Sequence, residues 1–417
     1  MANRNPSDGS ATPFPIVRVF SADLLSKVLL GVTALMSIRF IQDPAQYALL
    51  TLAVASVTLT SQILATSFNT IFVVAADKLQ LADAPSRFLS FQLLAVGLLT
   101  LGLLPFARQL GVVFPIGVAL ASGYCLSEFS KSQSQHSLDF RRFTRIELTR
   151  SSLFFGGQLV LIATVGRHLM AWQVLAVQAA SLWVVFVLFM RTRVAWRGLM
   201  DVGSGLQVAR TVLASPFRLL FVQSALIAVL MQADVWMLKA IAGDATVAAY
   251  GSAYRYYTLA MMVSTSMWSI LLPVVQRAAT SAELDTLFRK QLRVWAVVAP
   301  VVIALAWAAP WWIPLVDEGR YPEAVRVFQI LAASALLSVA FSPHMSVLMR
   351  FEDFGFTVGA CAAALVVGVS LHWVLIPLWG ATGAAWATLC AFLVLNGSAF
   401  LRSRHHRGRL RASEAGA

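Results

Sequence analysis

Residues 355–378, GFTVGACAAALVVGVSLHWVLIPL, and 382–402, TGAAWATLCAFLVLNGSAFLR, decide the class of fold. Between Gly355 and Leu401 there is no Asp, Glu, Lys or Arg. Each run has the length of roughly 20 mostly apolar residues that an α-helix needs to cross hydrocarbon. The residues between them leave room only for a turn. Ten further segments of the same kind precede this pair, at about 16–38, 46–74, 87–107, 111–130, 146–165, 169–190, 215–241, 246–275, 294–315 and 324–349. Of the 417 residues 59% are hydrophobic and 12% charged, against about 25% charged in an ordinary soluble domain. So little polar surface cannot cover a globule in water. The sequence predicts an all-α, multi-pass membrane protein of about 12 transmembrane helices.

Orientation follows from the basic residues, which gather in loops that stay in the cytoplasm. With both termini cytoplasmic, 24 of the 32 Lys and Arg fall on the inside and only 6 outside, while Lys27 and Arg255 lie within helices. An odd number of helices scrambles that alternation. The expected location is the cell inner membrane. The longest polar interruption, about 191–214, has six segments on either side. It divides the chain into an N-lobe, 1–208, and a C-lobe, 209–417, with a basic tail at 402–417.

Several function classes are excluded by the same reading. A net charge of +13 is of the kind that nucleic-acid binders carry, but the basic residues sit at segment ends and form no single patch, so no nucleic-acid partner is expected. No P-loop, HExxH or GxSxG occurs, and no cofactor is expected. Cys125, Cys361 and Cys390 are scattered and read as small core residues, not as a disulfide or metal set. The polar residues 1–14 lead into an apolar run without a small-residue cleavage site, which reads as a retained first helix. A membrane polymerase or ligase needs acids on a large external loop. The longest external stretch, about Trp311 to Pro322, offers only Asp317 and Glu318, so the chain is not expected to be an enzyme.

The halves echo one another weakly. Asp43 to Ala48 follows the first segment as Gly243 to Ala248 follows the seventh, and Pro15 and Arg18 match Pro216 and Arg218. Asp234-Val235-Trp236-Met237-Leu238, then Val247 to Arg255 (VAAYGSAYR), then Leu272-Pro273-Val274-Val275 form a series. It resembles the polysaccharide (O-antigen type) flippase branch of the multidrug/oligosaccharidyl-lipid/polysaccharide exporter superfamily. The first-half loop Asp43 to Ala48 resembles that branch too, with Ala48 where Gly is common. The resemblance implies a V-shaped pair of six-helix lobes related by an axis along the membrane normal. It also implies transfer of a lipid-linked oligosaccharide from the cytoplasmic to the periplasmic leaflet.

Ionisable groups at hydrocarbon depth are the candidate site, because each costs about 2.5–3.5 kcal/mol on insertion scales unless paired or wet. Asp23 and Lys27 share one face at i,i+4. They are either a self-neutralising pair or part of a cavity wall in which Lys27 meets substrate phosphate. Asp234 and Arg255 fall at similar depth on antiparallel helices, as a structural pair or as a cavity cation with a switching carboxylate. Arg18, Arg150 and Arg218 lie at the expected cytoplasmic mouths, where they snorkel to headgroups or form a funnel for pyrophosphate. Tyr250, Tyr254, Tyr256 and Tyr257 read as an interfacial belt rather than a sugar-stacking surface. Lys239 reads as an outer anchor of the seventh helix, His372 as a hydrogen-bonded core residue, and the tail Arg402 to Arg411 as a solvated segment against anionic lipid.

The expected function is export of a polyprenyl-diphosphate-linked oligosaccharide by alternating access, in cell-surface polysaccharide (lipopolysaccharide or exopolysaccharide) biosynthesis. The expected partners are that substrate, membrane lipids, and the polysaccharide polymerase and chain-length machinery. The rival within the superfamily is a cation-coupled multidrug exporter, which needs unpaired carboxylates in its cavity; the lysine four residues from Asp23 argues against one there.

Overall fold

The structure, a computed structural model, describes residues 14–79, 83–104, 111–137, 139–190, 201–278 and 280–415. Helix α1 spans Phe14–Phe40. Helix α2 runs from Pro44–Ser61 through a π-helical turn, Gln62–Thr66, into Ser67–Leu79. Then come α3 (Ala84–Leu103), α4 (Val113–His136), α5 (Phe140–Val165), α6 (Ala171–Met190) and a short α7 (Val202–Ala214). The second half holds α8 (Arg218–Ala242), α9 (Asp244–Arg277), α10 (Ser281–Trp307), a short α11 (Ala309–Asp317), α12 (Ala324–Arg350) and α13 (Phe354–Ala415).

Among the described residues nine helical stretches are long and apolar enough to cross a membrane. One of them, α13, is a hairpin and crosses twice. Helices α1 and α9, of 27 and 34 residues, complete the twelve expected crossings. Local chemistry sets the boundaries. Asp43 accepts the N–H of Ala45 at 2.9 Å ahead of Pro44, and Asp139 that of Arg142 at 3.1 Å, so each caps an orphan donor of the next helix. Gly166 and Gly243 end α5 and α8 at φ 63° and 81°, a region that favours glycine.

Inside the bundle, Ser and Thr return their hydroxyls to their own helices. Thr33 donates to Leu29 O at 2.8 Å and Thr51 to Tyr47 O at 2.9 Å. That local bonding lets polar side chains sit at membrane depth. Outward faces are apolar: Val297, Trp307 and Leu315 are 70%, 72% and 74% exposed, as suits a lipid solvent.

Two parts differ from expectation. The polar stretch between the halves contains α7, whose first turn is capped by Asp201, accepting from Gly203 N at 3.0 Å and Ser204 N at 3.3 Å. Its buried Val208 and Val212 pack with Phe88 and Leu89 of α3. Arg87 donates to Gln207 across the same contact at 2.7 Å. A helix with one apolar stripe this short escapes a search for long apolar runs.

The basic tail is no solvated segment. Helix α13 reverses at Gly380 (φ 54°). Its arms lie so close that a Cβ on Gly383 would come 2.1 Å from Leu375 O. The returning arm stays helical to Ala415 and docks on protein. Asp353 accepts from Arg402 at 2.6 Å and His406 at 2.7 Å, and Asp285 pairs with Arg411 at 2.5 Å. Arg407 stacks 4.1 Å over the Phe288 ring, and Glu414 accepts the Ser281 N–H at 2.7 Å. Partial burial raises the Asp353 carboxyl, but the bonds from Arg402 and His406 outweigh it and hold the group below its ordinary range. A carboxyl so lowered adds stability above its unfolded pKa and loses it as pH falls through the folded value. Hydrogen-exchange protection of residues 402–415, taken relative to the intrinsic rate at each pH, should therefore fall when the pH drops below the usual carboxylate range, and Asp353→Asn should produce that loosening at neutral pH. Exchange unchanged by both would remove Asp353 as the clamp.

Candidate functional site

The halves meet where α9 lies against α1 and α2. Two glycines permit the approach. A Cβ on Gly251 of α9 would fall 2.6 Å from Thr51 Oγ1 of α2, and one on Gly31 of α1 would fall 1.7 Å from Leu259 Cδ2 of α9. Along the α2–α9 seam two cavities follow one another. The first, about 270 Å³, is walled by Thr51, Thr58 and Gln62 of α2, Met231 of α8, and Arg255 and Thr265 of α9, among others. The second, about 130 Å³, takes Thr66, Asn69 and Thr70 of α2, Glu128 and Lys131 of α4, and Trp268 of α9. Lining positions on α2 and α9 step by three or four residues, so one face of each of these two borders both cavities. The π-helical turn Gln62–Thr66 falls between them and re-aims that face of α2; such turns often mark functional sites.

Cations are spaced along this seam. Among the described residues Arg255 is the one charged side chain lining the first cavity, and its guanidinium sits beside the Tyr47 hydroxyl. Among the described residues no carboxylate lies at ion-pair distance from it. At the boundary of the cavities, Lys27 of α1 donates to Thr265 Oγ1 at 3.1 Å and to Met262 O at 3.5 Å. On the second cavity Glu128 bridges Lys131 at 2.9 Å and Arg150 at 3.1 Å. Glu147 closes the ring, 2.7 Å from Arg150 and also paired with Lys131, while Ser26 of α1 donates to Glu147 O at 2.9 Å. The Glu147 side chain is 1% exposed and that of Glu128 27%, so the ring has a dry side and a cavity side. From Arg255 to Trp268 the seam runs about 20 Å at the helical rise of 1.5 Å per residue.

One end of the seam is strapped. Arg320, in the loop after α11, donates to Ile38 O at 2.6 Å, in the last turn of α1, and to Ile41 O at 2.8 Å, just past its end. Glu318 pairs with Arg167 at 3.2 Å and Arg39 at 3.5 Å, joining loops of the first half to the second. Burial raises the pKa of Asp317, the last residue of α11.

No protein-family model matches the chain, and no curated protein resembles it in sequence. Solved structures do resemble it in shape. A multidrug resistance MATE family transporter of the MOP superfamily, in an outward-facing conformation, superposes with TM-score 0.70 at 15% identity, over 95% of this chain and 96% of that one. A MOP superfamily transporter from Pyrococcus furiosus gives 0.68 at 14%, over 95% and 96%. The lipid II flippase MurJ, in an inward closed conformation, gives 0.69 at 11%, over 93% and 87%. The chain has the fold of MOP superfamily transporters.

Within that fold the expected site residues are only partly brought together. Arg255 lines the space between the halves and Lys27 reaches its edge. The side chains of Asp23 and Arg18 lie outside the described residues, although both positions are in α1. Asp234 does not face Arg255. Its carboxylate, 1% exposed, takes the Tyr250 hydroxyl and the Val235 N–H, the latter at 2.7 Å. A buried acid with hydrogen-bond donors at hand does not require the distant cation. Arg150 is no mouth residue, being held by two glutamates inside the bundle. Arg218 opens α8 and is exposed.

The tyrosines form no interfacial belt, since Tyr250, Tyr256 and Tyr257 are at most 2% exposed. Their rings pack into the second half, Tyr256 standing edge-on to Trp312 at 4.8 Å. Lys239, read as an outer anchor, pairs with Asp244. His372 bonds Gly368 O at 2.6 Å in the core, as expected. Glu128, Lys131 and Glu147 were not anticipated as site residues. A signal existed in Glu128-x-x-Lys131 and Glu147-x-x-Arg150, two acid–base pairs at helical spacing.

Removing one partner of a buried ion pair costs about 3–5 kcal/mol, whereas exposed pairs contribute about 1 kcal/mol or less. Glu147→Gln should therefore lower the melting temperature of the detergent-purified protein sharply, and Glu128→Gln only slightly. Equal effects would contradict the division of the ring into a dry and a cavity side.

Proposed function

We propose that this protein is a flippase that moves a polyprenyl-diphosphate-linked oligosaccharide across the cell inner membrane for surface-polysaccharide biosynthesis. The observation that carries the reading is Arg255. It is a permanently charged side chain on the wall of the cavity between the halves, with no carboxylate at ion-pair distance among the described residues. A guanidinium at that depth is costly unless an anion or water meets it. Its planar fork suits phosphate oxygens. Lys27, at the lower rim of the same cavity, supplies a second cation.

Motion follows from the two-half construction. Residues 1–208 and 209–417 act as lobes that rock about the α2–α9 seam and expose the cavity to each leaflet in turn. The diphosphate stays on Arg255 and Lys27 during the change while the polyprenyl tail remains in lipid. The strap at Glu318 and Arg320 lies on the periplasmic side and opens in the outward state. Similarity of fold to a lipid II flippase supports lipid export as a use of this architecture. Multidrug export by cation coupling calls for an acidic cavity, and the described lining around Arg255 has no Asp or Glu.

Each charge-assisted bond to phosphate contributes about 1.5–3 kcal/mol. Lys27→Ala and Arg255→Ala should each cut polysaccharide export to about a tenth or less while the protein remains in the membrane at normal level. Normal export by both variants refutes the cavity role.

A further inference from the structure

Among the described residues the ring at the second cavity brings together two cations, Lys131 and Arg150, and two carboxylates of different standing. Glu147 is sealed, held by both cations and lying beside Ser26. Glu128 contacts the same two cations from the cavity side and forms part of the cavity wall with Lys131. The rest of that wall is rich in neutral hydrogen-bonding groups: Thr66, Asn69, Thr70, Ser132 and Gln135. Asn69 is 4% exposed. Its Oδ1 is taken by Gln92 at 2.6 Å, and its Nδ2 has no acceptor among the described residues. Buried amide donors are rarely left unused. The volume of about 130 Å³ is several times the ~30 Å³ share of one water, which leaves room for a phosphate-sized group.

We infer that Lys131 and Arg150 form a second oxyanion subsite, in which the Glu128 carboxylate occupies the place of a phosphate and is exchanged for it when a phosphate-bearing ligand moves down the seam. The inference rests on the reading above for its ligand class, the phosphate oxyanion of a lipid diphosphate. It adds a residue that opposes binding. Geometry favours the exchange. Glu128 lies on α4 one turn before Lys131, and a new rotamer would turn its carboxylate into the cavity with no movement of backbone. Glu147 stays paired with both cations when Glu128 departs, so the exchange does not leave them bare. Along the seam the order is Arg255, Lys27 at Thr265, then this subsite at Trp268, all within the same run of about 20 Å.

Internal competition lowers apparent affinity by the fraction of time the socket is open. If Glu128 holds the cations nine-tenths of the time, its removal raises affinity roughly tenfold. The test is calorimetric titration of inorganic pyrophosphate into the purified full-length protein in neutral detergent. Glu128→Gln should bind about ten times more tightly than wild type, and the gain should vanish in Glu128→Gln/Lys131→Gln. A gain cannot come from misfolding. No gain, or a loss, at an unchanged melting temperature overturns the inference. If Glu128→Gln melts early, Glu128→Asp, with its carboxylate drawn back by one methylene, should show a smaller gain, and its absence overturns the inference equally.

Arg255→Gln separates this idea from the function proposed above. Pyrophosphate binding that is lost in Arg255→Gln yet indifferent to Glu128 and Lys131 keeps that function and removes the subsite. Binding that responds to Glu128 and Lys131 but not to Arg255 does the reverse. Parallel titrations with farnesyl diphosphate and with phosphatidylglycerol identify the source of the phosphate: a gain with farnesyl diphosphate supports the assignment, and a gain confined to phosphatidylglycerol overturns it.

Discussion

Helix α9 can lie between α1 and α2 only because a side chain is missing at each crossing. Gly251 gives way to Thr51, and Gly31 to Leu259. In lipid there is no hydrophobic drive to press helices together, so close backbone approach and van der Waals contact hold such bundles. The two halves are thus joined at small residues and kept apart elsewhere by larger ones, and what lies between the contacts is the pair of cavities. Any substitution that separates α9 from its neighbours also redraws the walls around Arg255 and Lys131.

Charges at membrane depth are accommodated in three ways. The Glu128–Lys131–Glu147–Arg150 ring neutralises itself. Asp234 is satisfied by hydrogen bonds from Tyr250 and Val235. Arg255 relies on the cavity it lines and on the neighbouring Tyr47 hydroxyl. Placed side by side, these solutions separate the groups satisfied within the bundle from Arg255, which has no carboxylate at ion-pair distance among the described residues.

The crossings were legible because each is a long apolar run bounded by Pro, Gly, Asp or a basic residue, and hydropathy detects such runs directly. What escaped was everything that depends on pairing. Lys131 reads as the end of a segment when taken alone, yet α4 continues to His136 and the lysine is paired with Glu128 and Glu147. Arg150 was assigned to a mouth for the same reason. The tyrosines of α9 match an interfacial belt in composition, and only their packing against Trp312, Phe328 and Asp234 reveals a core. The docking of the tail depends on Asp285, Asp353 and Glu414, which are remote from it in sequence or hidden among its arginines.

The fastening between Arg320 and the end of α1 has an uneven chemistry. Its acceptors are peptide carbonyls, which every amino acid carries, so no substitution at Ile38, Arg39 or Ile41 deletes them. Genetic adjustment of its grip is therefore confined to a single codon on one side. A relative that carries lysine there would keep the charge but lose the fork that holds several oxygens together, and its halves would part more readily at that end.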